Sequence, residues 1–297
     1  MLFCYGAGFL GSRVLAASSN TSRALDLACS TRSASLASSL RANLPALTVC
    51  TSGASSSEAI ASSSLFLTTA PPDPATNTDP ALTSISHALM HSADSGVLQC
   101  IALTSTTSVY GNHNGKIVDE LSETVSSSSR FEQEHRWCEF VCEHLGVPLL
   151  IFRVAGLYGP GRSALSSKST PSNRSKRQRK RFTSRVHVDD AASAITSGLI
   201  TSIEDQWNIS KERLDRVRVY NLVDDDPSPR AAVEQYASWL RGRASQPELE
   251  GKFLPSDLSD EEKVVDNARA KSELGWKLMY PTFREGLEAI ANLEISE

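Results

Sequence analysis

Apolar residues along this chain gather in short unbroken runs. They are separated by stretches in which apolar positions recur every three or four residues. The runs are "LFCY" (2–5), "ALDLACSTR" (24–32), "LTVCT" (47–51), "SLFLTTAPP" (64–72), "VLQCIALTS" (97–105) and "VPLLIFRVAGLYG" (147–159). Runs that do not alternate with polar residues predict parallel strands covered on both faces. Between them, the stretch through Val14 and Leu15 and the segments 79–95 and 126–145 carry helical spacing. Regular alternation of strand and helix predicts an α/β fold, a Rossmann-like doubly wound parallel sheet. Residues 1–160 are expected to form the Rossmann-like core. Residues 161–297 are expected to be mixed, adding late core elements and a small C-terminal substrate lobe. No repeat of 20 to 50 residues is visible. The serine-rich patches at 33–39, 52–64 and 126–129 read as polar helix faces and loops.

Composition narrows the classes. A chain of 297 residues can bury one large core. Its net charge of −4 predicts solubility and no general affinity for nucleic acid. No apolar run approaches the ~20 residues that span a bilayer. The opening "MLFCYGAGFLG" runs straight into glycines, which predicts neither a signal nor a transit peptide. The six cysteines are scattered, four of them in strand-like runs, so reduced thiols in a cytoplasmic setting are expected. Cys138 and Cys142 stand four apart without further ligands nearby, and no metal site is expected.

Candidate chemistry begins with "GAGFLG", Gly6-x-Gly8-x-x-Gly11, directly after a strand and before a helical pattern. In that context Gly6 permits a tight turn and Gly8 lets backbone approach a pyrophosphate. Gly11 brings the helix close to the sheet, and Phe9 and Leu10 open the helix whose N-terminus faces the phosphates. About 20 residues further on, an NAD site places a carboxylate for the ribose 2′-hydroxyl. This chain has Thr31 and Arg32 instead, and a guanidinium suits a 2′-phosphate. NADP is therefore expected, with NAD the alternative if Asp26 supplies the carboxylate. Thr69, Ala70 and Pro71, ending the fourth run, are expected along the ribose, and Thr104 beside the cofactor.

Further motifs follow in order: "TSTTSVYG" (104–111), "FRVAGLYGPGR" (152–162), "RVHVDDAASAI" (185–195), "VYNLVDD" (219–225) and "ELGWKLMYPTFREGL" (273–287). With the glycine motif, the chain resembles the extended short-chain dehydrogenases/reductases of the NAD(P)-dependent epimerase/dehydratase type, and more closely an atypical branch of them. The resemblance covers nearly the whole chain. It implies a small-molecule substrate and a Ser or Thr after the fifth strand, a place taken by Thr106. It also implies a Tyr-x-x-x-Lys pair on the next helix, in which tyrosine moves the proton and lysine lowers its pKa and holds the ribose.

That pair is missing. Between residues 115 and 148 there is no tyrosine, and the lone lysine is Lys116. Tyr110 belongs to the "SVYG" turn. In the family a Glu often follows four residues past the lysine. If that Glu is Glu134, Ser126 and Arg130 take the pair's place. If it is Glu139, Phe131 and His135 do. The first register is preferred, because arginine can hold ribose hydroxyls, although it cannot act as a base. Asp189 or Asp190 is expected to cap the helix opened by "RVHVDD". The basic loop 166–185 holds eight Lys/Arg and no acid from 168 onward. It reads as a solvated insertion. The alternatives are a nuclear-localisation or nucleic-acid patch, centred on 174–181, or a cover for an anionic ligand. The expected function is an NADP-dependent oxidoreductase or epimerase-type enzyme with an altered proton donor. The alternative is a weakly active or inactive protein that binds NADP for structure or redox sensing. Nucleic acid is the least favoured partner.

Overall fold

The first strand, β1 (Leu2–Tyr5), is wholly apolar up to its last residue, and this is explained by what lies on either side of it. Leu2 and Cys4 face one core while Phe3 faces another. In this computed structural model, residues 1–51, 53–166, 182–204, 216–242 and 262–296 are described. β1 sits in a seven-stranded sheet with β2 (Leu27–Ser30), β3 (Thr48–Cys50), β4 (Leu65–Thr68), β5 (Cys100–Thr106), β7 (Leu149–Val154) and β10 (Val217–Leu222). The spatial order is β10-β7-β5-β4-β1-β2-β3, and every neighbouring pair is parallel. This is the expected doubly wound sheet. The direction of winding reverses between β1 and β4, which opens a crevice past their carboxyl ends.

Helices cover both faces. α1 (Phe9–Ser19), α2 (Ala34–Asn43) and α6 (Val188–Glu204) bury residues in the core that holds Leu2 and Cys4. α3 (Gly53–Ala61), α4 (Pro80–Asp94) and α5 (Ser129–Phe140) close the other. α4 starts where Asp79 Oδ1 accepts from the Ala81 and Leu82 N–H groups, both at 2.8 Å, with Pro80 in the first turn. α5 starts three residues later than the 126–145 periodicity predicts, because Ser128 caps it through the Phe131 N–H. A single wide turn, Val141–Leu145, then ends it at Gly146, whose φ is +67°.

Four features depart from the sequence expectation. The run 147–159 is two strands. β7 stays in the main sheet, while β8 (Gly156–Tyr158) leaves it to pair with β9 (Arg185–His187). Gly156 permits this, since a Cβ there would lie 3.2 Å from the Ser184 carbonyl oxygen. The edge strand β10 comes from the "VYNL" stretch, which the run pattern does not mark. A two-residue pair joins β6 (Ile117–Val118) to β11 (Val264–Val265). Neither Asp189 nor Asp190 precedes α6, for both lie in its first turn. Asp190 instead accepts from the Met279 and Tyr280 N–H groups at 2.6 and 3.0 Å, pinning a distant loop.

A third core of Tyr158, Leu165, Tyr236, Phe283, Leu287 and Ile290 gathers α7 (Arg230–Leu240) and α9 (Phe283–Ser296) beside β8. α8 (Ala268–Leu274) packs against β10 and α6. Most of the basic loop, residues 167–181 with the 174–181 patch, lies outside the described residues. Its last residue, Arg185, is not solvated. It lies in β9, 6% exposed, and donates to the carbonyls of Asp226 and Ser228. Among the described residues, no helix is long and apolar enough to cross a membrane.

Candidate functional site

A cleft of about 980 Å³ runs along the carboxyl edge of the sheet, over the reversal point between β1 and β4. The glycine turn forms its floor. Gly6 has φ +77°, the left-handed region in which a side chain is strained. Its N–H donates to Ser30 Oγ at 3.2 Å, and its carbonyl accepts from Thr69 Oγ1 at 2.7 Å, so β2 and β4 both hold the turn. A Cβ on Gly11 would lie 3.0 Å from Cys4 Sγ and 3.1 Å from Thr69 Oγ1, so only glycine lets α1 sit this close. Gly8 precedes α1 with no side-chain cap on the helix. The first N–H groups of α1 lack intrahelical partners and open on the cleft. This is a fit for a pyrophosphate. A Cβ on Gly8 would meet only the Gly6 carbonyl oxygen, at 3.7 Å, leaving room for a ligand to approach the backbone.

All the residues expected at the cofactor line this cleft: Gly6, Gly8, Phe9 and Leu10, then Thr31 and Arg32, then Thr69–Pro71, Thr104 and Arg130, with Gly11 just beneath. Thr106 lines it too, its Oγ1 accepting from the Ser108 N–H at 3.2 Å. Asp26 precedes β2 and lies at the opposite edge of the sheet, where its carbonyl accepts from the Leu2 N–H at 2.8 Å. It cannot reach a ribose in the cleft. Among the described residues, three arginines (32, 130 and 162) and one carboxylate, Asp73, line the cleft. The Thr76 and Ala75 N–H groups hold the Asp73 carboxyl below its ordinary pKa, and Arg32 adds to the effect.

The two registers separate in space. His135 points to solvent, 3.4 Å from Glu139, with its side chain 60% exposed. Arg130 lines the cleft. Ser126 is exposed in the turn before α5 and does not line it. Tyr110 is frame. It is 1% exposed, donates to Asn221 Oδ1 at 2.7 Å and accepts from Arg153 Nη1 at 2.9 Å. Arg153 also binds both oxygens of Glu134, at 2.8 to 3.3 Å.

Sequence reasoning missed Ser105, Asp79, Gln133 and Arg162. Ser105 and Arg162 line the cleft, and Arg162 stacks over the Phe9 ring at 5.3 Å. Gln133 binds Arg130 from three residues along α5, a spacing that could have signalled the contact.

Beyond Gly156, Leu157 and Arg162, which they share, the cleft meets a second cavity of about 310 Å³ between β8, α7 and α9. Close to it lies Asp224, 3% exposed, with Oδ2 unpartnered among the described residues. Burial pushes its pKa up to about 8 against the pull of Arg185. The folded chain therefore keeps this proton after the unfolded chain has lost it. The stability contribution is full below the ordinary value of 3.8 and is lost as pH rises to about 8. Asp224→Asn should melt above wild type at pH 8 and level with it at pH 4. A constant difference at both pH values would exclude this titration.

Burial pushes the Cys29 thiol up to about 11 and that of Cys100 to about 12, which makes them poor nucleophiles.

No protein-family profile matches the chain. Protein YeeZ of Escherichia coli K12 is 28% identical over 185 residues, 61% of this chain. That region is 58% of YeeZ, so the chain matches less than two thirds of the length of this curated relative. A functionally unknown conserved protein from Silicibacter pomeroyi is 25% identical, with a TM-score of 0.70 over 98% of both chains. UDP-glucuronic acid 4-epimerase from Bacillus cereus, solved in complex with NAD, is 16% identical, with a TM-score of 0.69 over all of both chains. With the strand order and the glycine turn, these likenesses show that the chain has the fold of the NAD-dependent epimerase/dehydratase type, that of the extended short-chain dehydrogenases/reductases.

Proposed function

We propose that the cleft binds a nicotinamide dinucleotide, NADP(H) in preference to NAD(H). We further propose that the protein is an oxidoreductase or epimerase/dehydratase-type enzyme acting on a small molecule with an altered proton donor. The observation that carries this reading is the Gly6–Gly11 turn, in which a Cβ on Gly8 would meet only the Gly6 carbonyl oxygen, so the backbone is open beside the α1 N-terminus, where a pyrophosphate would lie. The NAD held by the Bacillus cereus epimerase supports the cofactor class. Arg32, which lines the cleft with Thr31, supports the phosphorylated form, since Asp26 lies at the wrong edge and the cleft carboxylate, Asp73, is held by the Ala75 and Thr76 N–H groups. Bound there, a nicotinamide would supply hydride-transfer chemistry. The chain's own residues would do the rest. Thr106 would steady a substrate oxygen, Arg130 would hold ribose and substrate, and the second cavity would admit the substrate's far end.

The lining of the cleft supports the altered donor. The end of the cleft built from Thr104–Thr106, Arg130, Val154–Leu157 and Arg162 offers no phenol, imidazole, amine, thiol or carboxyl among the described residues. Water would supply the proton, and a positioned acid–base group contributes typically ~10²–10⁴-fold, so turnover would be slow. The same observation favours the second reading, a dinucleotide-binding protein without efficient turnover. A screen of NADPH oxidation over aldehydes, ketones and sugars separates the two readings.

Calorimetry tests the cofactor. Arg32→Ala should weaken NADP+ by about tenfold, the loss of one solvent-exposed charged contact, and spare NAD+. Equal losses for both, or none, would refute the role given to Arg32.

A further inference from the structure

Arg130 is held more firmly than ribose contact alone requires. Both hydrogens of its Nη1 are committed, to the Thr104 carbonyl at 3.2 Å and to Gln133 Oε1 at 3.0 Å. Gln133 is fully buried and itself fixed, donating from Nε2 to the Ala70 carbonyl at 3.1 Å and to Asp79 Oδ2 at 2.6 Å. Asp79 is 3% exposed. It also receives the Trp137 Nε1–H at 2.8 Å, and its other oxygen caps α4. The guanidinium plane is thus locked from one side through two buried side chains. Its other edge, Nε–H and Nη2–H, has no protein partner among the described residues. Beside it in the cleft, Ser105 is 6% exposed and its buried Oγ is unpartnered among the described residues.

An arginine edge with two parallel free donors matches the two oxygens of a carboxylate. Arg162 adds positive charge at this end, and no carboxylate among the described residues lines it. That edge alone satisfies a planar carboxylate, whereas a tetrahedral phosphate would carry further charged oxygens that draw on Arg162 and the Ser105 and Thr106 hydroxyls as well.

We propose that the Nε–Nη2 edge of Arg130 is an anion-binding fork for a substrate that carries a carboxylate beside its reacting carbon, an oxo acid or hydroxy acid. Gln133, backed by Asp79, is the positioning residue that turns the fork into the cleft. The assignment of a reacting carbon rests on the dinucleotide reading above, whereas the fork stands on its own geometry.

The test is calorimetry with oxalate as the probe, on the full chain with and without saturating NADP+. Oxalate should bind the wild type. Arg130→Lys, which keeps the charge and a donor for ribose, should weaken oxalate by about tenfold or more and dinucleotide far less. Gln133→Met should weaken oxalate selectively, whereas a purely structural role would lower oxalate affinity, dinucleotide affinity and melting temperature together. If that variant does not fold, Arg130→Lys still decides the matter. No oxalate binding, or binding indifferent to Arg130→Lys, would overturn the fork. Inorganic phosphate binding more tightly than oxalate, with the same dependence on Arg130, would overturn the choice of carboxylate. Arg130-dependent oxalate binding by a chain that binds no dinucleotide would refute the cofactor reading and keep the fork.

Discussion

Glu134→Ala is expected to destabilise the protein by about 3–5 kcal/mol, because it leaves Arg153 charged, buried and unpaired. Glu134 and Arg153 have side chains only 6% and 8% exposed, and the guanidinium engages both carboxylate oxygens. Burial works against the charge on Arg153, and the Glu134 carboxylate more than reverses this, holding its pKa above the ordinary arginine value. The pair joins α5 to β7, and Tyr110 and Asn221 extend the connection to β10. The expected fall in melting temperature is roughly ten degrees. The control is Glu139→Ala, which breaks the exposed contact to His135 and should cost at most about 1 kcal/mol. Similar melting temperatures for the two variants would show that burial does not set the strength of the Glu134 pair.

Gly8→Val should abolish dinucleotide binding in a protein that still folds. Its Cβ would meet nothing closer than the Gly6 carbonyl oxygen at 3.7 Å, and its φ of −115° lies outside the left-handed region. The added side chain would fill the space through which a pyrophosphate reaches the α1 N-terminus. A loss of about 3 kcal/mol, more than a hundredfold in Kd, is expected for losing that approach. Gly11→Leu should behave in the opposite way. Its side chain would press on Cys4 and Thr69 under the turn, so folding itself should suffer. Calorimetry with NADP+ and thermal melting, run on both variants, read the two effects apart. If Gly8→Val binds dinucleotide like wild type, the phosphates do not lie at this turn.

What the sequence determined by itself is what depends on local pattern. Unbroken apolar runs are required of strands buried on both faces, so β1 to β5 and β7 were legible, and so was the winding that follows from their alternation with helices. The glycine motif was legible because its three positions act through backbone geometry fixed by immediate neighbours. The missing Tyr-x-x-x-Lys was legible as an absence from one helix. What only the tertiary structure decided depends on partners far apart in the chain. β10 lies 63 residues beyond β7, and it pairs there in a register that no local spacing encodes. The split of 147–159 depends on Ser184 meeting Gly156. The choice between Arg130 and His135 turns on which side of α5 faces the sheet, and that is set by Glu134 meeting Arg153 on β7 and Gln133 meeting Asp79 before α4. Periodicity gives a helix its faces. Which of them carries the chemistry is fixed only when buried charges find their counter-charges, because a charge left alone in the core costs more than any local preference can offset.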